Sequence, residues 1–266
     1  MTDSLSYRDF ITTFRNLGLR RNSHVLVHAS LEGLGPVAGG PDTIIGSLLA
    51  TCESVLMPTF TPECALTPPV GPPDNAIDYG TDPGKNLEAE FYVPDLPTGE
   101  PVAERLRQHA NARRSVHPLL SFAGIKADEA LEGQTIDEPL GPIGWLAEFD
   151  GDVLLLGTDQ RANVSLHYGE RAAGRRQFTR WALTPEAVVV CPDCPGCSEG
   201  FGAIASRLDG IVRRQRLGRA TAELIPLRDL INITVGWVRQ DPRALLCDRP
   251  ECVYCRAVRA SVRVPS

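Results

Sequence analysis

A three-layer α/β/α fold around a largely parallel central sheet is what this sequence of 266 residues predicts. Three observations carry the prediction. Short apolar runs, VLVH from Val25, SVLMP from Ser54 and DVLLL from Asp152, read as strands buried on both faces. Amphipathic segments lie between them, and the order strand, loop, helix, strand is that of a βαβ unit, whose helices cover the faces of a parallel sheet. An apolar fraction of 42% with 23% charged residues is enough to bury a core of ordinary globular type.

From the N-terminus, Tyr7, Phe10, Ile11, Phe14 and Leu17 recur at helical spacing, Ser6 and Asp9 suit a capping box, and Gly18 suits a helix stop. The run Val25 to His28 is the first strand. A glycine-bearing loop follows, then a helix opened by Pro41 with Ile44, Ile45, Leu48 and Leu49 on one face. SVLMPTF is the second strand. Residues 61–99 are rich in Pro, Gly, Asp and Asn and lack periodicity, so they form a long loop of the kind that carries function or disorder. A helix over EPVAERLRQHA, a strand within ARRSVHPLLSFAG and a helix over LGPIGWLAEFDG, ended by Gly151, come next. DVLLLGTD is the clearest strand and runs into QRANVSLHYGERAAG, a helix capped by Asn163. Beyond it, FTRWALTPEAVVV is extended, a helix-like segment reaches Leu208, IVRRQRLGR reads as a solvated basic helix face, and PLRDLINITVGWVRQDPRALL is a helix. The chain is read as one domain over residues 1–266 with a cysteine-rich subregion at 188–260, and no repeat is found.

Six of the eight cysteines fall in two groups, CPDCPGC at 191–197 and CDRPECVYC at 247–255. Neither a secretory leader nor an apolar run long enough for a membrane span is seen, so the chain is expected to be cytoplasmic, without a membrane partner. In a reducing compartment grouped cysteines point to metal more than to disulfides. Cys194 with Cys197 and Cys252 with Cys255 make two C-x-x-C knuckles, the ligand set expected for Zn2+, with Cys191 and Cys247 as substitutes. Four thiolates close a tetrahedron and leave no place for water, so the ion would be structural and would staple the C-terminal lobe. A redox pair would open a helix in a thioredoxin-like unit that is absent here. Nucleic acid is argued against by the net charge of -6 and by an arginine-rich stretch without interleaved aromatics. That stretch would instead face coenzyme phosphates or the second subunit of a homodimer.

VHASLEGLGPVAGGPDTIIGSLL, VLMPTFT, RSVHPLLSFAG and VLLLGTDQRANVSLHYGE stand in the order and at the spacings of the aminoglycoside 3-N-acetyltransferase family, which the sequence resembles most over residues 5–170. The resemblance implies acetyl-CoA as acyl donor and a primary amine as acceptor. It implies His167 as the general base and Ser165 near the thioester. Glu170, three residues on and so on the same helical face, would orient the imidazole. Asp193 and Glu199 are alternative acids, because the carboxylate that some relatives supply from a later strand falls here among the cysteines. His28, Ser30, Leu31 and Gly35 after the first strand, Pro58, Thr59 and Phe60 after the second, and Arg114, Ser115 and His117 in RSVHP are the coenzyme contacts implied. Arg114 suits phosphate because its fork meets two oxygens at once. For the acceptor, the acidic residues of DNAIDYGTD with Glu88, Glu90, Asp95 and Glu100 would form an anionic groove for a cationic amine such as an aminoglycoside. Another amine metabolite or a biosynthetic intermediate is the alternative acceptor. A ligand-sequestering protein is the non-enzyme alternative, and the intact His167 speaks against it.

Overall fold

The computed structural model describes residues 4–262. Helix α1 (Tyr7–Leu17) starts at Ser6, whose hydroxyl accepts the Asp9 N–H while the Asp9 carboxylate accepts the Ser6 N–H at 2.8 Å, and it ends at Gly18 with φ +93°. Strand β1 (His24–Ala29), the single turn α2 (Leu31–Leu34), α3 (Pro41–Thr51) and β2 (Ser54–Pro58) follow. The long loop carries only two 3-10 turns and the short β3 (Ala65–Leu66). Then come α4 (Pro101–Arg107), β4 (Arg113–Arg114), β5 (Phe122–Ile125), α5 (Asp128–Glu132), α6 (Gly141–Glu148), β6 (Asp152–Leu156) and α7 (Ser165–Ala172). The remainder is β7 (Phe178–Leu183), β8 (Val188–Cys194), β9 (Arg213–Leu217), β10 (Ala220–Pro226), α8 (Leu227–Gln240) and α9 (Val253–Ser261).

The main sheet has seven strands in the order β4-β5-β2-β1-β6-β10-β9, and a second sheet has three, β3-β7-β8. Only β2, β1 and β6 run parallel; every other pairing of the main sheet is antiparallel. The expected largely parallel sheet is therefore corrected to a mixed one with a parallel centre. Its cause on one side is the hairpin β9–β10, whose two-residue turn at Gly218 (φ +58°) and Arg219 leaves no length for a crossover helix. The same hairpin corrects the basic helix face, since Arg213, Arg214 and Arg216 of IVRRQRLGR lie on a strand and Arg219 in its turn. Arg214 pairs with Glu223 directly opposite at 2.8 Å, and Arg213 reaches Asp152 at 3.4 Å.

Alternation along the parallel strands builds two cores. Val25, Val27, Val55, Met57, Leu154 and Leu156 pack with Phe10, Phe14, Ile44, Leu48 and Leu106 of α1, α3 and α4. Leu26, Leu56, Val153 and Leu155 point the other way, to Ile143, Leu146, Leu166, Leu227 and Leu230 of α6, α7 and α8. Three layers result, and the carboxyl ends of β1, β2 and β6 come out side by side. There the chain leaves each parallel strand in a different direction, the place where open α/β sheets bind ligands. The loops after β1 and β6 come together closely at main chain: a Cβ added at Gly33 would lie 1.7 Å from the carbonyl oxygen of Gly157, itself at φ +65°. Among the described residues no helix is long and apolar enough to cross a membrane.

Candidate active site

The loop after β6 delivers Asn163, whose side-chain oxygen accepts the Ser165 N–H at 3.1 Å and so starts α7. A spacing of three puts His167 and Glu170 on one face of that helix, where His167 Nδ1 meets Glu170 Oε2 at 2.9 Å. Both are buried, at 6% and 4% exposure. A carboxylate only accepts, so Nδ1 is the donor of this hydrogen bond, and in the neutral imidazole the lone pair is then on Nε2. The Phe201 ring lies 4.5 Å from the imidazole at 59° and is itself fully buried. The second oxygen of Glu170 receives the Arg175 guanidinium. Of the carboxylates weighed as partner for His167, Glu170 is the one in place. Asp193 pairs with Arg171 at 2.9 Å, and Glu199 lies on a cavity wall. Ser165 Oγ, at the start of the same helix, is buried with no hydrogen-bond partner among the described residues.

Two cavities flank the loop that leads into α7. The first, about 440 Å³, lies at the strand ends and is lined by His28, Ser30, Pro58, Phe60, Thr158 and Val164 among others. Burial holds the His28 imidazole down at about 3, so it is neutral, and its Nε2 is enclosed without a partner. The second cavity, about 900 Å³, shares Thr158 and Ala162 with the first and brings together Asp159, Glu199 and Glu223 with Arg161 as the one cationic side chain of its wall. Asp159 is held below the usual carboxylate range by Arg161, which binds it at 2.7 Å.

Of the expected coenzyme contacts, His28, Ser30, Pro58 and Phe60 line the first cavity, while Leu31, Gly35, Thr59, Arg114, Ser115 and His117 line neither. Arg114 turns inward and spends its donors on the carbonyls of Thr59 at 2.8 Å and Pro94 at 3.1 Å, on the Leu96 carbonyl and on Ser121 Oγ at 3.0 Å. Ser115 Oγ accepts the Phe122 N–H at 2.8 Å. His117 Nδ1 accepts the N–H groups of Leu119 and Leu120 at 3.2 and 3.0 Å, and burial brings its imidazole down to about 4. These three hold the turn between β4 and β5. The anionic groove expected from the long loop is not assembled either: Asp78 pairs with Lys85, Asp95 sits 3.9 Å from Arg107, and of that set only Glu100 reaches a cavity. The carboxylates that do converge come from three separate segments.

Four thiols meet at Cys197, Cys247, Cys252 and Cys255, all within 4.8 Å of one another. Cys247, and not the expected Cys194, stands fourth in this group. The end of β8 turns Cys194 into a small apolar core with Cys64, Tyr92, Leu119 and Cys191, where burial pushes its thiol up to about 12. Asp193, at φ +54°, marks the irregular step between Cys191 and Cys194. Burial opposes ionisation of Cys247, but the Arg249 amide, the neighbouring cysteines and the Arg249 guanidinium outweigh it and bring the thiol to about 7. Zn–S bonds of about 2.3 Å place the sulfurs of a tetrahedral site ~3.8 Å apart, a spacing that four mutually adjacent thiols can adopt.

A family model described as aminoglycoside 3-N-acetyltransferase matches residues 26–239. The chain is similar to aminoglycoside N(3)-acetyltransferase VII of Streptomyces paromomycinus, with 29% identity over 264 residues that cover 84% of this chain and 88% of that enzyme. It superposes on the apoenzyme of aminoglycoside acetyltransferase AAC(3)-IVa with a TM-score of 0.78 and 25% identity, over 98% of this chain and all of the other. A mutant of that enzyme is solved in complex with a gentamicin. AAC-IIIb in its binary complex with CoASH shares the fold, at a TM-score of 0.70 and 20% identity over 90% of this chain and 97% of that one.

Proposed function

Because the chain belongs to the aminoglycoside 3-N-acetyltransferase family, we infer that it transfers the acetyl group of acetyl-CoA to the 3-amino group of an aminoglycoside. The observation that carries the reading is the buried His167–Glu170 pair, set on the helix that follows the loop shared by two cavities of different character. The first cavity, at the strand ends, suits the pantetheine arm with its thioester. The second gathers three carboxylates, of which Asp159 is paired with Arg161 and Glu223 with Arg214, while Glu199 is in no ion pair among the described residues; acceptors of this kind suit the ammonium groups of a polycation.

The amine reacts only after losing its proton, and His167 Nε2, with its free lone pair, is the base that takes it. Glu170 holds the imidazole in that tautomer and favours the imidazolium that forms. His167 passes that proton to solvent. Nitrogen then bonds to the thioester carbon and gives its next N–H proton to His167 Nε2, the C–S bond breaks, and coenzyme A leaves as a thiolate that the His167 imidazolium reprotonates, so that one proton is released per turnover. His28 stays neutral through the cycle because burial penalises its charged form.

The four thiols of Cys197, Cys247, Cys252 and Cys255 fit a closed tetrahedral zinc site of structural type. The ion would tie the segment after β8 to the start of α9, and with it Ser198 and Glu199 of the second cavity. Residues 188–260 then form a metal-stapled lobe of a single acetyltransferase domain.

A thiol-release assay with acetyl-CoA tests the function against aminoglycosides that carry a free 3-amino group, others that lack one, and simple polyamines. Turnover restricted to the first set is the expected result. Turnover on polyamines alone, or none on any acceptor while acetyl-CoA still binds, would overturn the acceptor assignment.

A further inference from the structure

We propose that Arg175 is a positioning residue for the acetyl transfer inferred above, acting through Glu170 on His167 and touching neither substrate. The proposal rests on that reading of the site. The Arg175 side chain is 3% exposed and that of Glu170 5%. Its guanidinium meets Glu170 Oε1, while its other end donates to the carbonyls of Pro242 at 3.0 Å and Ala244 at 2.6 Å. A buried arginine–carboxylate pair is weak as a source of stability, because desolvation offsets the attraction. What it supplies here is direction: with Oε1 fixed by a planar fork, Oε2 is left facing His167 Nδ1. Without the guanidinium, Oε1 would have no donor at a buried position, and the carboxylate would turn toward whatever donor or water it could find.

The local chain explains how Arg175 reaches this place. Helix α7 ends in a Schellman turn: Gly174, at φ +87°, lets the Arg175 N–H bond the Glu170 carbonyl at 3.0 Å while its own N–H bonds Arg171 at 2.9 Å. The turn folds Arg175 back over the residue it holds. Behind the pair, a space of about 10 Å³ lined by Glu170, Arg175, Cys197 and Cys255 is too tight for more than a single water. The carbonyls that anchor Arg175 belong to the segment that enters the thiol cluster at Cys247, so the base, its acid and the cluster are joined through one guanidinium.

The test uses the full chain with Arg175→Met, of similar volume and no donors, and Arg175→Lys, which keeps the charge without the fork. In the unliganded protein, NMR reads the low-field imidazole Nδ1–H that Glu170 holds. It is expected in the native protein and in Arg175→Lys, and lost in Arg175→Met. In steady state, Arg175→Met is expected to lower kcat about 10- to 100-fold, the range for partners that orient a reacting group, with KM for both substrates unmoved and Arg175→Lys in between. Each change made in a Glu170→Gln background should add no further loss, since Arg175 acts only through Glu170. An unchanged resonance and kcat in a folded Arg175→Met protein would overturn the proposal. If that variant does not fold, the Lys variant decides: a loss that multiplies with Glu170→Gln would also overturn it. Failure of the functional reading looks different, because then no amine is acetylated by the native protein while the resonance still answers to Arg175.

Discussion

Two buried neutral histidines set a specific response of stability to acid. His28 and His117 titrate near 3 and 4 in the folded chain, against an ordinary value of 6.5, because burial penalises the charged imidazole. Between the two values the unfolded chain binds protons that the folded chain refuses. Stability is therefore whole above about pH 6.5 and falls as the pH drops below it. Linkage gives about 2 kcal/mol lost per histidine between pH 7 and pH 5, about 4 kcal/mol for both, at 1.36 kcal/mol per unit. The assay is urea unfolding at pH 7 and pH 5 for the native chain and for His28→Gln with His117→Asn. Asparagine keeps an acceptor near the Nδ1 position that serves the amides of Leu119 and Leu120. The double variant should start less stable yet lose about 4 kcal/mol less than the native chain over that interval. Equal losses in both would mean that neither histidine is held neutral, and would refute the burial argument.

The cysteine assignment predicts that Cys247→Ser abolishes stoichiometric zinc and lowers the melting temperature, while Cys194→Ser leaves zinc bound. Metal analysis of the purified variants decides it, and chelation of the native protein should lower the melting temperature as well. Glu199→Gln should raise KM for the aminoglycoside several-fold with little effect on that for acetyl-CoA, since it removes one of three carboxylates from the second cavity only. Steady-state kinetics with each substrate varied in turn checks this. Arg114→Gln should destabilise the protein by about 3 kcal/mol, the scale of leaving several buried acceptors short of a charged donor. A phosphate contact would instead show as a salt-dependent loss of acetyl-CoA affinity with stability intact.

The parallel centre of the fold and the histidine–carboxylate pair were legible because each is local. VLVH, SVLMP and DVLLL are apolar enough to be strands in nearly any context, and a spacing of three on α7 puts Glu170 beside His167 whatever surrounds them. Outer strands β9 and β10 were not legible, since RRQRL becomes a strand only through its partners: Glu223 and Asp152 neutralise its arginines across the sheet. The choice between Cys194 and Cys247 depended on which way the end of β8 points its side chains, a property of the small sheet that spacing does not encode. Asp159, Glu199 and Glu223 lie on three segments far apart in sequence, so no window of residues could reveal their meeting. Arg175 did leave a trace, an arginine straight after a helix-stopping glycine and five residues from Glu170, but only the turn geometry gives that spacing its meaning.

Gly33 and Gly157 bear on how such a protein can diversify. On the wall of the second cavity the contact between the two loops is main chain against main chain, and any larger residue at either position would force the loops apart. Selection is thereby confined to the far walls. On the acceptor side those walls are Ser198 to Ala205 and strand β10 with Glu223, elements that contribute nothing to the cavity at the strand ends. A lineage can therefore redraw the charges that greet a new amine, residue by residue, while the donor half stays as it was. Drift in acceptor preference with an unchanged donor is the evolutionary path this architecture leaves open.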